Sequence, residues 1–265
     1  MSFKITLLGT GSSVGVPRLG PVWGSCDPRN PKNRRRRCAL LVEQPGKGGA
    51  TTILVDTPAD IREQLLDAAV SRLDAVLYTH DHADHTHGID DLRGVFFLMK
   101  QRVPVYADVA TRGTLERRFE YCFAQPAGSL YPAILKAHDI RPPEPLRIGG
   151  PGGLIEVTPI PQEHGDAPSL GFRFGNVVYS PDIGGIPEAS LPLLQGIDLW
   201  IVDALRPMPH PSHFSVGQTL EWIARLKVKR AILTHMTIDL DYETLRRQLP
   251  PHVEAGFDGM VIEIP

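Results

Sequence analysis

Cysteine is scarce in this chain: Cys26, Cys38 and Cys122 are the only three in 265 residues, at irregular spacing. Three thiols cannot build a disulfide framework, so stability must come from a packed core, and a reducing, cytoplasmic compartment is the expectation. No stretch approaches the roughly 18 apolar residues of a membrane span. The opening Met-Ser-Phe-Lys-Ile-Thr-Leu-Leu-Gly turns polar and glycine-rich too soon for a secretory signal. An excess of one charge is missing too: 28 Lys+Arg against 30 Asp+Glu leave −2, which argues against a protein that lives on long nucleic acid. Long repeats and low-complexity tracts are also lacking. What remains is an ordinary globular composition, 42% hydrophobic and 22% charged. A chain this long buries roughly 70–75% of its unfolded surface, enough for one large domain.

Strand-like and helix-like segments alternate. Short apolar runs at Lys4–Leu8, Ala39–Glu43, Thr52–Asp56 and Ala75–Thr79 read as strands between Gly- and Pro-rich turns. Pro58 suits the first turn of a helix with Ile61, Leu65, Leu66 and Ala69 on one face. A helix is expected over Ile89–Met99, a short strand at Val105–Tyr106 and a helix over Thr111–Tyr121. The Pro- and Gly-rich stretch Ala124–Gly153 reads as a long surface excursion. Strands resume at Leu154–Ile160, Leu170–Phe174, Val177–Ser180, Leu199–Asp203, Ala231–Thr234 and Met260–Glu263, with helices over Val216–Leu226 and Tyr242–Leu249. A single domain over residues 1–265, with two sheets and outer helices, fits this order better than two independent units.

Four of the ten histidines fall in eight residues, in Thr79-His80-Asp81-His82-Ala83-Asp84-His85-Thr86-His87, directly after the apolar Ala75-Val76-Leu77-Tyr78. A strand feeding such a loop sets imidazoles and carboxylates at a sheet edge, and these are ligands that zinc, manganese and iron accept. His80 and His82 can converge on one ion, while Asp84 and His85 can reach a second. Two metals about 3.5–4 Å apart form a known arrangement for phosphate ester hydrolysis. The same pattern recurs: Glu163-His164, Pro181-Asp182 and Thr234-His235 each stand just past an apolar run. Four strand ends supplying ligands to one edge is what a binuclear pocket needs.

The motif His-x-His-x-Asp-His, followed by a lone His, a lone Asp and a lone His, resembles the metallo-β-lactamase-fold hydrolases over essentially the whole chain. That resemblance implies an α/β fold, a four-layer αββα sandwich with the metals at one edge between the sheets. It implies two divalent ions, one on His80, His82 and His164 and the other on Asp84, His85 and His235, with Asp182 bridging. It also places Asp56 as a carboxylate beside the ligands, although a turn or helix-cap role before Pro58 is equally open. His87 is left out of the ligand set, which seven better candidates already fill.

The stretch Leu8-Gly9-Thr10-Gly11-Ser12-Ser13-Val14-Gly15-Val16-Pro17 is similar to the opening of the family's phosphodiesterase branch, which includes the phosphoribosyl 1,2-cyclic phosphate phosphodiesterases and, more distantly, ribonuclease Z. Small residues after a strand can turn backbone N–H groups towards an anion, making Ser12 and Ser13 substrate-binding candidates. In Pro209-His210-Pro211-Ser212-His213-Phe214-Ser215, ahead of a helix, His213 resembles the family's proton donor to the leaving oxygen, with His210 the second choice. The resemblance thus implies a binuclear phosphodiesterase for a small cyclic phosphate or nucleotide-like ester, attacked by a metal-bridging hydroxide, with His213 and Asp182 in the catalytic set. Zinc or manganese are the expected ions, with iron also suited.

Three alternatives are carried: a glyoxalase II-like thioester hydrolase, a ribonuclease Z-like endonuclease, and a non-hydrolytic metal- or nucleotide-binding protein of cofactor biosynthesis. No Gly-rich basic insertion resembles the tRNA-gripping arm of ribonuclease Z. A structural zinc on closely spaced cysteines is not expected, since only Cys26 and Cys38 lie in that region and Ile238 follows His235 at the matching distance; the loop Leu19–Asn33 must be held otherwise. Arg34-Arg35-Arg36-Arg37 reads first as a strand entrance with ion pairs and second as a phosphate- or RNA-facing patch. The residues point to no particular oligomeric state; a homodimer is the commonest assembly among soluble oligomers.

Overall fold

A computed structural model describes residues 2–264. The first sheet is built by β1 (Phe3–Gly9), β2 (Ala39–Gly46), β3 (Gly49–Val55), β4 (Ala75–Leu77), β5 (Val103–Ala107) and β6 (Leu135–Asp139). The second takes β7 (Leu146–Gly150), β8 (Gly153–His164), β9 (Ala167–Phe174), β10 (Val177–Ser180), β11 (Leu199–Asp203), β12 (Arg230–Thr234) and β13 (Val253–Ala255). The last strand, β14 (Met260–Ile264), returns to the first sheet beside β1. Each sheet is antiparallel at one side and parallel at the other, and the change falls at β3 in the first and at β10 in the second.

Alternation along the strands explains the layering. Ile53 and Val55 of β3 face the second sheet, where Phe172, Tyr179 and Ile201 meet them, and Leu54 between them faces outward into another buried layer. Leu199 and Ile201 of β11 face the inter-sheet core, while Trp200 and Val202 face the opposite side. Strands buried on both faces read as continuous apolar runs, as these do. Helices α1 (Ile61–Asp67), α3 (Leu92–Met99) and α4 (Val109–Arg118) cover the outside of the first sheet through Ile61, Leu65, Val95 and Leu115. Helices α6 (Val216–Leu226) and α7 (Tyr242–Gln248) cover the second through Ile223, Leu226 and Leu245. Two short helices, α2 (Ala83–Thr86) and α5 (Glu120–Phe123), complete the set. The architecture is the expected αββα sandwich. Among the described residues, no helix is long and apolar enough to cross a membrane.

Three local expectations need correction. The stretch 124–153 is not a bare excursion, for it contains β6 and β7, which pair with β5 and β8. In α1 the apolar face ends at Leu65: Leu66 is 59% exposed, and Ala69 lies past the helix at φ 51°. The helix expected over Thr111–Tyr121 breaks at Phe119, whose φ −130° and ψ 38° separate α4 from α5.

The loop before β2 is fastened to the segment after β12. Cys26 Sγ lies 3.5 Å from the carbonyls of Ile238 and Leu240, and Asn33 Nδ2 donates to Asp241 at 2.6 Å. Tyr242 N–H donates to Asn33 Oδ1 at 2.7 Å. Most of the arginine run is engaged by the fold. Arg35 is buried against Thr237 O, Arg36 pairs with Asp67 and Asp258, and Arg37 pairs with Asp60.

Candidate metal centre

The ligand candidates come from the segments that follow the carboxyl ends of strands. Beyond β4 stands His80, followed by His82 at the cap of α2 and by Asp84 and His85 inside it. His164 ends β8, Asp182 follows β10, and His235 follows β12. Two groups of donor atoms result, each within 4.8 Å of one another: His80, His82 and His164 in one, and Asp84, His85, Asp182 and His235 in the other.

Asp182 stands between them. Its Oδ1 lies 3.0 Å from His85 Nε2 and 3.4 Å from His235 Nε2, while its Oδ2 lies 3.6 Å from His164 Nε2 and 3.9 Å from His80 Nε2. Asp84 Oδ2 sits 3.5 Å from His85 Nε2 and 3.7 Å from His235 Nε2. The Nε2 atoms of His80, His85 and His235 and the Oδ1 of Asp182 are buried without any hydrogen-bond partner. Orphaned polar atoms are costly one at a time, and several aimed at each other are the mark of a missing shared partner. Imidazole nitrogens and carboxylate oxygens are donors suited to divalent ions, so the residues fit the metals that the motif implies.

Burial holds His80 well below the usual histidine range, helped by neighbouring His85, and lowers His164 to about 4. Both rings are therefore neutral at neutral pH, the form that ligates. Burial works to raise the carboxyl of Asp182, but His235 and His85 outweigh it and keep the group well below its ordinary value. Asp84 is likewise held down by His85 and His235 against its own burial.

A second ring of groups orients the first. Asp56, which follows β3 in a left-handed conformation at φ 65°, accepts from Thr79 N–H and Thr79 Oγ1, both at 2.9 Å. Its Oδ2 also lies 2.7 Å from His85 Nδ1, and Thr79 Oγ1 lies 2.9 Å from His80 Nδ1. One carboxylate thus aims two imidazoles, one directly and one through Thr79; the helix-cap alternative is not seen, since Asp60 occupies that place. His164 is aimed by Ser212 O, 2.7 Å from its Nδ1.

The loop after β11 brings His213 to the centre. Its Nδ1 lies 2.6 Å from Asp203 Oδ2, leaving Nε2 on the side of Asp182 at 4.0 Å. Its ring stacks on His235 at 4.7 Å and stands edge-on to His164 at 4.6 Å. Burial pushes the Asp203 carboxyl well up and His213 down. Asp203 and Thr79 were missed in the sequence. Asp203 had a readable signal: Leu-Trp-Ile-Val-Asp ends an apolar run as Ile-Leu-Val-Asp does at Asp56.

Other candidates sit less centrally. His210 is 5.2 Å from the His213 ring, and its Nδ1 accepts from the Ser212 hydroxyl at 3.1 Å. The glycine-rich turn is largely closed to an anion. Thr10 N–H donates to Asp258, Gly11 to Arg36 O, Ser12 to Met236 O and Gly15 to Ser12 O. Ser12 is buried with its Oγ unpartnered, whereas Ser13 is exposed. His87 points away and stands edge-on to Phe119.

With this geometry in view, the relationships are consistent. A 32% identical relative, the octanoyltransferase of Porphyromonas gingivalis, aligns over 263 residues, which is 97% of this chain and 51% of that protein. The ribonuclease Z of Bradyrhizobium diazoefficiens is 29% identical over 174 residues, 65% of this chain and 50% of that protein. The chain spans about half the length of these curated relatives. Among solved structures, a diphosphatase from the PhnP family superposes with a TM-score of 0.87 at 34% identity, over 100% of this chain and 98% of that one. The Beta-lactamase superfamily domain matches residues 51–236, from β3 through the last histidine of the site. The chain belongs to the β-lactamase superfamily, with the metallo-β-lactamase fold.

Proposed function

We propose that this metal-dependent hydrolase cleaves a small phosphodiester, a cyclic phosphate or a nucleotide-like ester, at a binuclear centre. The observation that carries the reading is Asp182, with one carboxylate oxygen facing each group of ligands. His80, His82 and His164 would hold one ion, and Asp84, His85 and His235 the other. The imidazole-rich set suits zinc, and the two carboxylates suit manganese or iron as well. The chemistry that two bound divalent ions supply is Lewis acidity at the phosphoryl oxygens and acidification of the attacking water.

The chain's own groups do the rest. Asp203 accepts from His213 Nδ1, which leaves the transferable proton at Nε2, on the side of the site where the ester oxygen departs. The imidazolium of His213, held by Asp203, is the group positioned to give a proton to the departing alkoxide. Asp56 and Thr79 keep His85 and His80 in the tautomer that leaves Nε2 free for an ion. Ser13 and Val14, exposed at the tip of the glycine-rich turn, are the part of it open to substrate. The reading takes residues 1–265 as one hydrolase domain in a reducing, cytoplasmic setting, in keeping with three free, buried cysteines.

The relationship to a diphosphatase of the PhnP family over the full chain supports phosphoester chemistry. A thioester hydrolase is the second reading, favoured by the relative named as an octanoyltransferase. Phosphorus NMR separates the two. The metal-loaded protein is mixed with 5-phosphoribosyl 1,2-cyclic phosphate and a 2′,3′-cyclic nucleotide, and ring opening is expected, abolished by Asp182→Ala. Two intact rings together with cleavage of an acyl thioester would replace the first reading by the second.

A further inference from the structure

An open groove of about 520 Å³ adjoins the site on the side of His82. Asp81, His82, Ala83 and His87 form one wall and Arg118 with Phe119 the other. The larger cavity lined by Phe3, Arg173 and Asn176 lies at the opposite strand ends, and the apolar one beside Leu66 and Phe97 lies on the outer helices. Neither includes a residue of the site.

The break between α4 and α5 creates the groove's second wall. Arg118 is the last residue of α4, and Phe119, at the break, presents its ring to His87 with centroids 5.6 Å apart and planes at 78°. Arg118 Nη1 donates to the carbonyl of Asp81 at 2.6 Å, and Nη2 lies 3.8 Å from the Asp81 carboxylate. The guanidinium is thereby fixed in position, yet its side chain is 45% exposed. An arginine pinned by a carbonyl of the ligand loop and still open to solvent is preorganised for a ligand. The groove collects a fixed guanidinium plane, an aromatic ring, an imidazole and a carboxylate, one residue from a proposed metal ligand.

These four groups select a chemistry. Aromatic rings and guanidinium planes are the surfaces on which unpaired bases stack, and the stacking tolerates any base. A carboxylate and an imidazole accept and donate hydrogen bonds to vicinal hydroxyls. We propose that the groove is a nucleoside subsite, in which Arg118 and Phe119 take the base and Asp81 and His87 take the ribose hydroxyls of a nucleoside esterified to the scissile phosphate. The inference rests on the phosphodiesterase reading and names the substrate class for it: nucleotide esters are preferred over simple alkyl esters.

The test compares kcat/KM for uridine 5′-(4-nitrophenyl phosphate) and methyl 4-nitrophenyl phosphate, in the metal-loaded wild type and in Arg118→Ala and Phe119→Leu. The ratio of the uridine to the methyl ester should fall roughly 10- to 100-fold in each variant, the range of one lost stacking contact. The fall should appear mainly in KM, with metal content unchanged. A ratio equal to that of the wild type, including a parallel fall on both esters, would overturn the proposal. Calorimetric titration with uridine 5′-monophosphate judges the groove separately from turnover. Should the wild type hydrolyse neither ester, the phosphodiesterase reading falls, yet a Kd weakened about tenfold or more by Arg118→Ala still supports the subsite. No binding to the wild type, or equal binding to wild type and variant, refutes it.

Discussion

The pairing of His213 with Asp203 makes a quantitative prediction about leaving groups. An alkoxide departs as a far stronger base than a nitrophenolate, so only the alkyl ester needs a proton at the moment of bond breaking. General acid catalysis contributes about 10²–10⁴-fold. His213→Ala should therefore cost about 10²-fold or more in kcat for a 2′,3′-cyclic nucleotide and less than about 10-fold for a nitrophenyl ester. The contribution of Asp203 can be bounded from its contact. At 2.6 Å between two buried groups the bond to His213 Nδ1 is short, and when the imidazolium forms it becomes a hydrogen bond to a charged group, a class that contributes about 1.5–3 kcal/mol. Asp203→Asn leaves an oxygen but removes the charge that steadies the imidazolium, so the loss on the cyclic substrate should be about 10- to 150-fold. The double variant should be no slower than His213→Ala, because the two groups act as one unit. Steady-state kinetics on the two esters, with metal content measured for each variant, checks this. Equal losses on both esters for His213→Ala, or additive losses in the double variant, would refute the acid role.

Three further outcomes follow from the structure. Asp56→Asn keeps a residue type tolerant of the left-handed backbone but removes the charge that aims His85; metal affinity should weaken about 10- to 100-fold, as read by competition with a chromophoric chelator, and unchanged affinity would make Asp56 a turn residue only. Gly152→Ala would drive a Cβ into the carbonyl of Gln44 and to 2.5 Å from Thr51 N, so it should lower stability by about 1–3 kcal/mol or more. Gly149→Ala, in the same hairpin with open space at its Cβ, should change stability by less than half of that in urea unfolding. Burial raises the Asp258 carboxyl to about 6, against hydrogen bonds from Arg36 and Thr10. A folded value above the unfolded one means a contribution present below about pH 4 and lost as the pH rises through 6, worth about 3 kcal/mol. Asp258→Asn should be destabilised at every pH yet lack that loss, so parallel pH profiles of wild type and variant would refute the assignment.

How much of this was legible before the structure depends on which faces of a segment are buried. Strands such as β10 and β11, covered on both sides, announce themselves as unbroken apolar runs, and the polar residue that ends each run is easily seen. That is why Asp182 and His235 could be read as candidates once the His-rich loop had singled out His80. β6 and β7 stand at sheet edges, each with only one residue well buried. Their pairing with β5 and β8 makes them strands, and no local composition records it. Thr79 was invisible for another reason. Its role is a relay between Asp56 and His80, two residues from different strands, and a threonine after a strand is unremarkable until both neighbours are in place. The turn at Thr10–Gly15 shows the converse error: its small residues suggested free amides, but those of Thr10, Gly11, Ser12 and Gly15 are taken up by Asp258, Arg36, Met236 and Ser12.

The location of the centre follows from how each sheet changes direction. β3 is antiparallel to β2 and parallel to β4, while β10 is antiparallel to β9 and parallel to β11. In α/β sheets ligand sites lie outside the carboxyl ends of the strands. The aspartates that follow these two strands are Asp56 and Asp182, and His85 joins them, with Nδ1 2.7 Å from Asp56 and Nε2 3.0 Å from Asp182. A side chain delivered there requires the backbone to turn at once, and at two such places the chain does so in a conformation that L residues resist: Asp56 at φ 65° and His235 at φ 58°. Each costs of order 1–3 kcal/mol and persists only where its surroundings leave no alternative. At Asp56 they are Asp56 N–H to Leu77 O and Thr57 N–H to His85 O; at His235, Ala204 N–H to Thr234 O and Met236 N–H to Thr10 O. The other left-handed non-glycine residues, Ala69, Lys100 and Lys227, follow helix ends, where that conformation is routine. Among the described residues, the non-glycine strain that helix geometry does not explain is therefore confined to the two strand ends that carry a ligand or its support.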